Sequence, residues 1–394
     1  MSIIKGVRAL SAVLLGNVTS GQLETYLTDV GNRASFQQAI KQRRHVDALV
    51  ASSAATAVLA GSAYAMEAVA ASPAAVKAFF SSAVARPILL GSSTAMPKIA
   101  ASVIAVAAIA ADANAVSAAV ASSNAMTALA SSQPAMAFAW SDSPFVTALL
   151  ASAVARPIVI GASAAMAAVA GVSAASAAML ANATWRADII SSTTAMTAMA
   201  GSSVSAGQIA ASPTYAAEVG TNATARGIFV SSSTAMAVAA AAPTEFLKSS
   251  SVWVTAMAQS SVALAAMFGT SAARGAVMSS DSFINAIAAT PSAITWLRAN
   301  KLSTATGPTP NGATGSPQAF SPPRPKVLIL SAKIGVAGTA NYTFTQITAG
   351  VKTSAVLVTT DTTFCAAFTN LNYQMNIAST NPLHAPIIDY VDMT

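Results

Sequence analysis

The residue types that most often carry chemistry are scarce in this sequence and far apart. Its 394 residues include one cysteine, Cys365, and two histidines, His45 and His384, which excludes a disulfide scaffold and a Cys/His metal centre. There is no HExxH motif and no P-loop, and the glycines that begin at Gly335 are typical of a hairpin turn because no helix pattern follows them. We therefore expect no catalytic, cofactor-binding or metal-binding residues, and a protein that is not an enzyme.

Charged side chains are equally sparse. The last part of the sequence contains Asp361, Asp389 and Asp392, but no spacing brings them together. Lys and Arg number 20 against 13 Asp and Glu, and the only dense basic run is at residues 41–44. A protein that binds nucleic acid concentrates its basic residues on one surface, whereas this run is typical of a solvated helix face. We expect no nucleic-acid partner.

The apolar content is high but does not indicate a membrane segment. Apolar residues make up 54% of the chain, with alanine the commonest of them, and the mean hydropathy is +0.59. No stretch reaches the roughly 18 apolar residues that a membrane-spanning helix needs. The run Ala9–Leu15 is short for the apolar core of a signal peptide. We expect a packed N-terminal segment and no membrane insertion.

A ten-residue repeat dominates the sequence. Units such as GSSTAMPKIA and SSTTAMTAMA follow the consensus small–Ser–(Ser/Pro)–Thr–Ala–Met–x–Ala–(Val/Ile/Leu)–Ala in register from Ala51 to Ala240. The next unit, Ala241–Lys248, is two residues short, and five further units end at Arg298. Serine at position 2 is a good helix N-cap, and prolines such as Pro73 at position 3 suit the first helical residue. Each unit is therefore predicted to be one short helix.

Helices of this length are unstable alone, so the units must stack. We predict a mainly α fold: a solenoid of short helices on a ten-residue repeat, with about three units per turn. The number three comes from position 6, where methionine recurs every thirty residues at Met66, Met96 and Met126, then Met136, Met166 and Met196, then Met236. These methionines are expected to fill the core. Each break in the spacing is predicted to be a slip in register.

Position 6 is arginine in five other units. These are Arg86, Arg156, Arg186, Arg226 and Arg274. Their units end in bulkier residues, and proline follows two of the arginines, so the sequence allows short strands there, along one side of the solenoid. Two interpretations stay open. The arginines form a row that meets carboxylates or an anionic partner, or they reach solvent or cap helix carbonyls while their stems pack on alanine.

Composition divides the chain into four parts. Residues 1–50 are more polar and are predicted to be a docking or capping segment, with two short helices over 21–50. Residues 51–300 form the repeat rod. Residues 301–325 are rich in Pro, Gly, Ser and Thr, which is typical of a linker. Residues 326–394 alternate β-prone runs with turn signals and are predicted to be a small all-β domain, a sandwich or barrel.

The repeats at Ser92–Ser102 and Ser191–Ser202, together with Leu23–Ile40, resemble bacteriophage virion proteins described as tail fibres or other tail and baseplate components. The resemblance implies a structural protein located in the virion, with residues 1–50 attached to tail, baseplate or capsid proteins. It also implies that residues 326–394 contact a host-surface glycan or protein, or the virion. By analogy with fibres it implies a homo-oligomer, most simply a trimer.

Two alternatives remain at this stage. A head fibre or capsid decoration protein would share the architecture and differ only in what residues 1–50 contact. A bacterial cell-surface adhesin would use the same rod, but it would need a secretion signal, and the N-terminal sequence does not provide a convincing one.

Overall fold

A computed structural model describes residues 2–249, 251–306, 317–320, 327–334, 340–346, 357–358, 362–368, 373–379 and 386–394. The chain divides into two compact units, Met1–Ser205 and Ala206–Thr394. It is mainly helical with repeated helix packing, which confirms the predicted class of the repeat region.

The described residues contain 29 helices. The first nineteen are α1 (Ser2–Leu14), α2 (Ser20–Leu27), α3 (Val30–Ile40), α4 (Arg43–Ala51), α5 (Ser53–Ala60), α6 (Ala63–Ala70), α7 (Pro73–Ser81), α8 (Ala85–Gly91), α9 (Ala95–Ala100), α10 (Val103–Ala110), α11 (Ala113–Ala121), α12 (Ser123–Ala130), α13 (Gln133–Ser141), α14 (Ser143–Ala151), α15 (Ala155–Gly161), α16 (Ser163–Ala170), α17 (Ser173–Ala181), α18 (Ala183–Ser191) and α19 (Thr193–Gly201). The remaining ten are α20 (Ser203–Ala211), α21 (Pro213–Thr221), α22 (Ala223–Ser231), α23 (Ser233–Ala241), α24 (Pro243–Ser249), α25 (Ser251–Gln259), α26 (Ser261–Met267), α27 (Ser271–Met278), α28 (Asp281–Ala288) and α29 (Pro291–Lys301).

Each repeat unit forms one helix because its second residue separates that helix from the preceding one and commonly caps the helix that follows. Ser102, for example, has extended backbone angles of φ −108° and ψ 106°, and its hydroxyl accepts a hydrogen bond from the Ala105 N–H at 3.2 Å. Pro73 and Pro213 are the first residues of α7 and α21, where a missing N–H leaves no bond unmade. The predicted N-cap and first-residue positions are confirmed.

Sharp bends between consecutive helices create the solenoid. The axes of α7 and α8 differ by 104°, and those of α10 and α11 by 112°. Three such bends turn the chain through nearly a full revolution, so most helices pack against the third helix before them. In the compact unit Met1–Ser205, α6 packs against α3 and α9 against α6. In the compact unit Ala206–Thr394, α25 packs against α22 and α28 against α25. The prediction of three repeats per turn is confirmed.

Positions 5, 6, 9 and 10 of the repeat form the buried face of each helix. Met66, Met96 and Met126, which lie in α6, α9 and α12 on one side of the first unit, are each 0% exposed. The prediction that these methionines fill the core is confirmed. Alanine is the commonest of the other buried residues, and its small side chain lets neighbouring helices approach closely.

Two expectations about the arginine units are wrong. All five units are helical and form no strands: α8, α15, α18, α22 and α27 contain them. Pro87 lies in the first turn of α8, where an N–H has no intrahelical acceptor, so it does not break the helix. The packing of a helix on the third helix before it continues where the first slip is predicted: α12 packs on α9 and α13 on α10, without a register slip. Arg86 and Arg156 consequently lie on different sides of the solenoid, because α8 stacks with α5 and α11 whereas α15 stacks with α12 and α18.

The first 51 residues form four helices. Three of these, α2, α3 and α4, occupy the stretch in which the sequence predicts two. Helix α1 packs closely on α3, where a Cβ atom at Gly6 would overlap the backbone oxygen of Ser35. In the described residues no single helix has the length and apolar character needed to span a bilayer. Five pairs of consecutive helices have that length and composition when taken together, but the two helices of each pair are bent by 101–112°.

Eight strands follow the helices in the part of the chain that the structure describes. They are β1 (Leu302–Thr306), β2 (Pro317–Phe320), β3 (Val327–Ile334), β4 (Ala340–Gln346), β5 (Leu357–Val358), β6 (Thr362–Phe368), β7 (Tyr373–Ser379) and β8 (Pro386–Asp392). They pair antiparallel in two sheets, with orders β1-β8-β3-β6 and β2-β7-β4-β5. Strands β1 and β2 fall inside the predicted linker, whose residues 307–316 and 321–325 lie outside the described ranges. The linker and the sandwich or barrel stay predictions.

Candidate functional site

The serine at position 2 connects successive turns of the solenoid as well as capping its own helix. Ser152 Oγ accepts a hydrogen bond from the Ala155 N–H at 3.0 Å and donates one to the carbonyl oxygen of Val120 at 2.6 Å. Val120 lies in the last turn of α11, one solenoid turn earlier. A single hydroxyl therefore satisfies one unpaired donor at a helix start and one unpaired acceptor at a helix end.

The same bond between turns recurs at position 2 of other repeats, at the corner between two consecutive helices. We call the serines that make it corner serines. The other pairs in the first unit, each 32 residues apart, are Ser82–Val50, Ser92–Ala60, Ser102–Ala70, Ser122–Leu90, Ser192–Ile160 and Ser202–Ala170. In the second unit Ser260 donates to Val230, only 30 residues away, at 2.7 Å. The separation between serine and carbonyl falls from 32 to 30 residues because the repeat Ala241–Lys248 is two residues short. The partner is therefore determined by its place in the preceding turn and not by a fixed distance in sequence.

Asp112 occupies position 2 in α11's unit and reverses the direction of this bond. Its carboxylate caps α11 by accepting from the N–H groups of Asn114 and Ala115. Because a carboxylate cannot donate, Ser81 on the preceding turn donates to Asp112 Oδ2 at 2.8 Å instead. The Ser81 hydroxyl, followed by the Ala115 amide, holds the pKa of the Asp112 carboxyl below its usual value.

Four of the five repeat arginines cap the preceding helix. The Nη1 atoms of these side chains donate to the carbonyl oxygen six residues earlier, in the pairs Arg86–Phe80, Arg186–Leu180, Arg226–Gly220 and Arg274–Phe268. A cation at a helix C-terminus also interacts favourably with the helix dipole. The interpretation of these arginines as caps is confirmed.

Arg156 is the exception. The carbonyl oxygen six residues before it, on Leu150, accepts a hydrogen bond from Trp185 Nε1 at 3.1 Å. Arg156 instead pairs with Asp188, with 2.8 Å between Nε and Oδ2. The partner comes from the next turn of the solenoid, 32 residues later, so no local sequence pattern indicates it.

The N-terminal helices are joined to the repeats by charged side chains that the sequence analysis did not single out. Glu24 Oε2 accepts from Ser62 Oγ at 2.5 Å and from the Tyr64 N–H at 3.1 Å, at the start of α6. Arg33 donates to the Leu27 carbonyl six residues earlier, the reach used by the repeat arginines, and its guanidinium lies 3.8 Å from the Tyr64 ring centroid. Residues 1–50 are thus an integral first part of the helical stack.

A groove of about 570 Å³ lies between α1 and α2, and we call it the N-terminal groove. Lys5, Arg8 and Ala12 line it along α1, and Leu23 and Tyr26 line it along α2. It is the candidate binding site that falls within the predicted docking segment. Composition shows a basic bias in this part of the chain, but the sequence alone does not show that α1 and α2 form a groove.

A second depression, of about 640 Å³, lies on the repeats between α9, α12 and α13. Two of its four hydroxyl groups already donate within the chain: Thr127 to the Ser123 carbonyl at 2.8 Å and Ser131 to the Thr127 carbonyl at 2.7 Å. Asn124 donates to the Leu90 carbonyl. These donors are committed to the fold, so this depression offers less for a ligand than the N-terminal groove.

The residues first considered for chemistry are not brought together where the structure describes them. His45 Nδ1 lies 3.0 Å from the carbonyl oxygen of Ala39, another contact six residues back. Among described residues, no group of three or more His, Cys, Asp or Glu side chains could hold a metal ion. His384 and Asp361, and the side chains of Cys365 and Asp389, lie outside the described part of the chain.

No known protein-family model matches this chain, and no curated protein matches it.

Proposed function

We propose that the protein is a structural component of a bacteriophage virion, a tail fibre or a tail or baseplate appendage. In this proposal residues 1–50 dock on other virion proteins and the helical repeats act as a spacer. Residues 326–394 form a small β-domain that contacts a host-surface glycan or protein, or the virion. The protein works as a homo-oligomer, a trimer by analogy with other fibres.

The observation that carries the proposal is the recurring corner-serine bond. It joins successive turns of helices at eight serines of the described residues. Other polar side chains of the repeat also make bonds that hold the helices together. Four of the five repeat arginines cap helices, the fifth pairs with an aspartate of the next turn, and the corner serines cap helices and connect turns. A fold built from nearest-neighbour contacts gains length one turn at a time and resists local opening, which suits a mechanical spacer.

The experiment is to locate the chain in purified phage particles. Particles would be produced from the genome that encodes this chain and analysed by mass spectrometry, then imaged with a gold label on either end of the chain. We expect the chain in the particles, with the N-terminal label close to the tail or baseplate and the C-terminal label farther out.

Each other result has a defined meaning. Particles that lack the chain would refute the virion role. A C-terminal label next to the particle would show that the docking end is assigned wrongly. An N-terminal label on the capsid would favour a head fibre or decoration protein over a tail component.

A further inference from the structure

One face of α1 is left uncovered by the rest of the described chain. Leu10 is buried on the side of α1 that packs against α3. The side chains of Lys5 and Arg8 are exposed on another face, Ala12 is half-buried, and Leu15, just beyond the helix, is 73% exposed. These four positions are spaced three or four residues apart, so they form one stripe with two cations at one end and an aliphatic side chain at the other.

The positive charge of this stripe is not neutralised by a carboxylate of the described residues. Neither Lys5 nor Arg8 forms an ion pair with a carboxylate in the described residues. The carboxylates nearest in sequence have other partners: Glu24 binds the start of α6, and Asp29 caps α3 by accepting from the Asn32 N–H at 2.8 Å. Any acidic group that enters the groove therefore meets two cations without a competing carboxylate.

The groove is preformed. Leu23, 2% exposed, forms part of its apolar floor together with the half-buried Val18. Tyr26, also on α2, donates its hydroxyl to the backbone oxygen of Lys5 at 3.3 Å, which ties α2 to α1. A bound segment would gain contacts without first having to order the site.

We propose that the N-terminal groove binds an acidic segment of a partner virion protein. Carboxylates of that segment pair with Lys5 and Arg8, and an aliphatic side chain packs against Ala12 and Leu15. This inference rests on the proposed function, since it names the chemistry of the surface on which residues 1–50 dock. It is the charge pattern, basic and then apolar along one stripe, that selects an acidic amphipathic partner over a basic or neutral one.

The test uses the full chain and two short fluorescein-labelled peptides with the same leucines. One peptide has glutamate at its polar positions and the other has lysine. Fluorescence anisotropy should show binding of the glutamate peptide that weakens as salt is raised, and much weaker binding of the lysine peptide. The double variant Lys5→Glu/Arg8→Glu should bind the glutamate peptide at least about tenfold more weakly, because two attractions become two repulsions.

Two further variants separate charge from shape. Lys41→Glu/Arg44→Glu changes the net charge by the same amount outside the groove and should leave the affinity within about twofold of the unaltered chain. Ala12→Trp keeps both cations but fills the groove, and it should weaken binding of the glutamate peptide. Circular dichroism would confirm that each variant keeps its helical content.

Equal binding of the two peptides, or binding that survives the reversal of Lys5 and Arg8, would overturn the inference. So would a loss of affinity in the Lys41→Glu/Arg44→Glu control as large as that in the groove variant. Because peptide binding is measured without particles, its failure refutes the acidic-partner site alone. Absence of the chain from purified particles refutes the virion role and leaves the peptide result standing.

Discussion

Replacing the corner serine Ser152 by alanine should weaken the solenoid at one defined corner. The substitution removes two hydrogen bonds at once, the cap on the Ala155 N–H and the bond to the Val120 carbonyl one turn earlier. The side chain is only half-buried and the change leaves no large cavity, so the lost bonds dominate the effect. The neighbouring turns keep their own corner bonds, so the weakening should stay local.

The size of the effect follows from the two bonds. Loss of a serine N-cap costs about 1 kcal/mol. Loss of a hydrogen bond that leaves a carbonyl group without its partner costs about another 1 kcal/mol. Together they lower the free energy of local opening by about 2 kcal/mol, which corresponds to roughly thirtyfold faster exchange of the amides protected by that corner.

Ser132→Ala is the matched control. Ser132 caps its helix by accepting from the Ala135 N–H, but it makes no bond to the preceding turn in the described residues. It should therefore lose only about 1 kcal/mol. Native-state hydrogen exchange read by mass spectrometry, over peptides covering α15 for Ser152 and α13 for Ser132, measures both changes. Equal acceleration in the two variants would show that the bond between turns contributes nothing and would refute this account of the corner serines.

Three further predictions follow from the same contacts. Gly6→Ala should destabilise the packing of α1 on α3 by about 1–3 kcal/mol because the added methyl overlaps backbone; urea unfolding should show this, whereas Gly91→Ala, with open space around it, should not lower stability. Asp112 has a lowered pKa, so its contribution to stability is present above its ordinary value of 3.8 and is lost as the pH falls through the folded-state value; thermal unfolding across pH should show this loss, and Asp112→Asn should remove that acid sensitivity, an unchanged pH profile being the contrary result. Deletion of residues 101–130 removes one turn and should leave a folded, shorter protein, whereas deletion of 101–115 cuts a repeat in half and should give aggregated protein; size-exclusion chromatography distinguishes the two, and equal tolerance of both deletions would contradict the repeat model.

Much of the helical architecture could be predicted because the repeat states it many times. Serine at position 2 and proline at position 3 are local signals, and each acts within one helix turn of its own position. The thirty-residue spacing of Met66, Met96 and Met126 is a longer signal, and it correctly indicated three helices per turn. Both succeed because the same physical requirement recurs at the same place in unit after unit.

The predictions of strands and of register slips were wrong because the sequence pattern behind each is compatible with two different structures. Proline after arginine suggested strands, but Pro87 falls in the first turn of α8, where the helix needs no N–H from it. The breaks in the methionine spacing suggested slips, but methionine simply moves from one side of the stack to another, from α12 to α13, while the packing of every third helix continues. The role of Arg156 could not be predicted, because its partner Asp188 is brought close only by the folded turn.

The corner serines also explain how a core rich in alanine specifies one arrangement. Alanine faces are nearly smooth, so they allow helices to approach but fix their relative position only weakly. A hydroxyl that must reach one carbonyl supplies the missing direction, and it does so at the corner where the chain turns. Ala162 and Val172 occupy this position in two consecutive units and give α16 and α17 no side-chain cap. The stack continues past α16, which packs against both α13 and α19. Each corner bond therefore adds a separate increment of stability and of register, and the solenoid tolerates the loss of individual bonds.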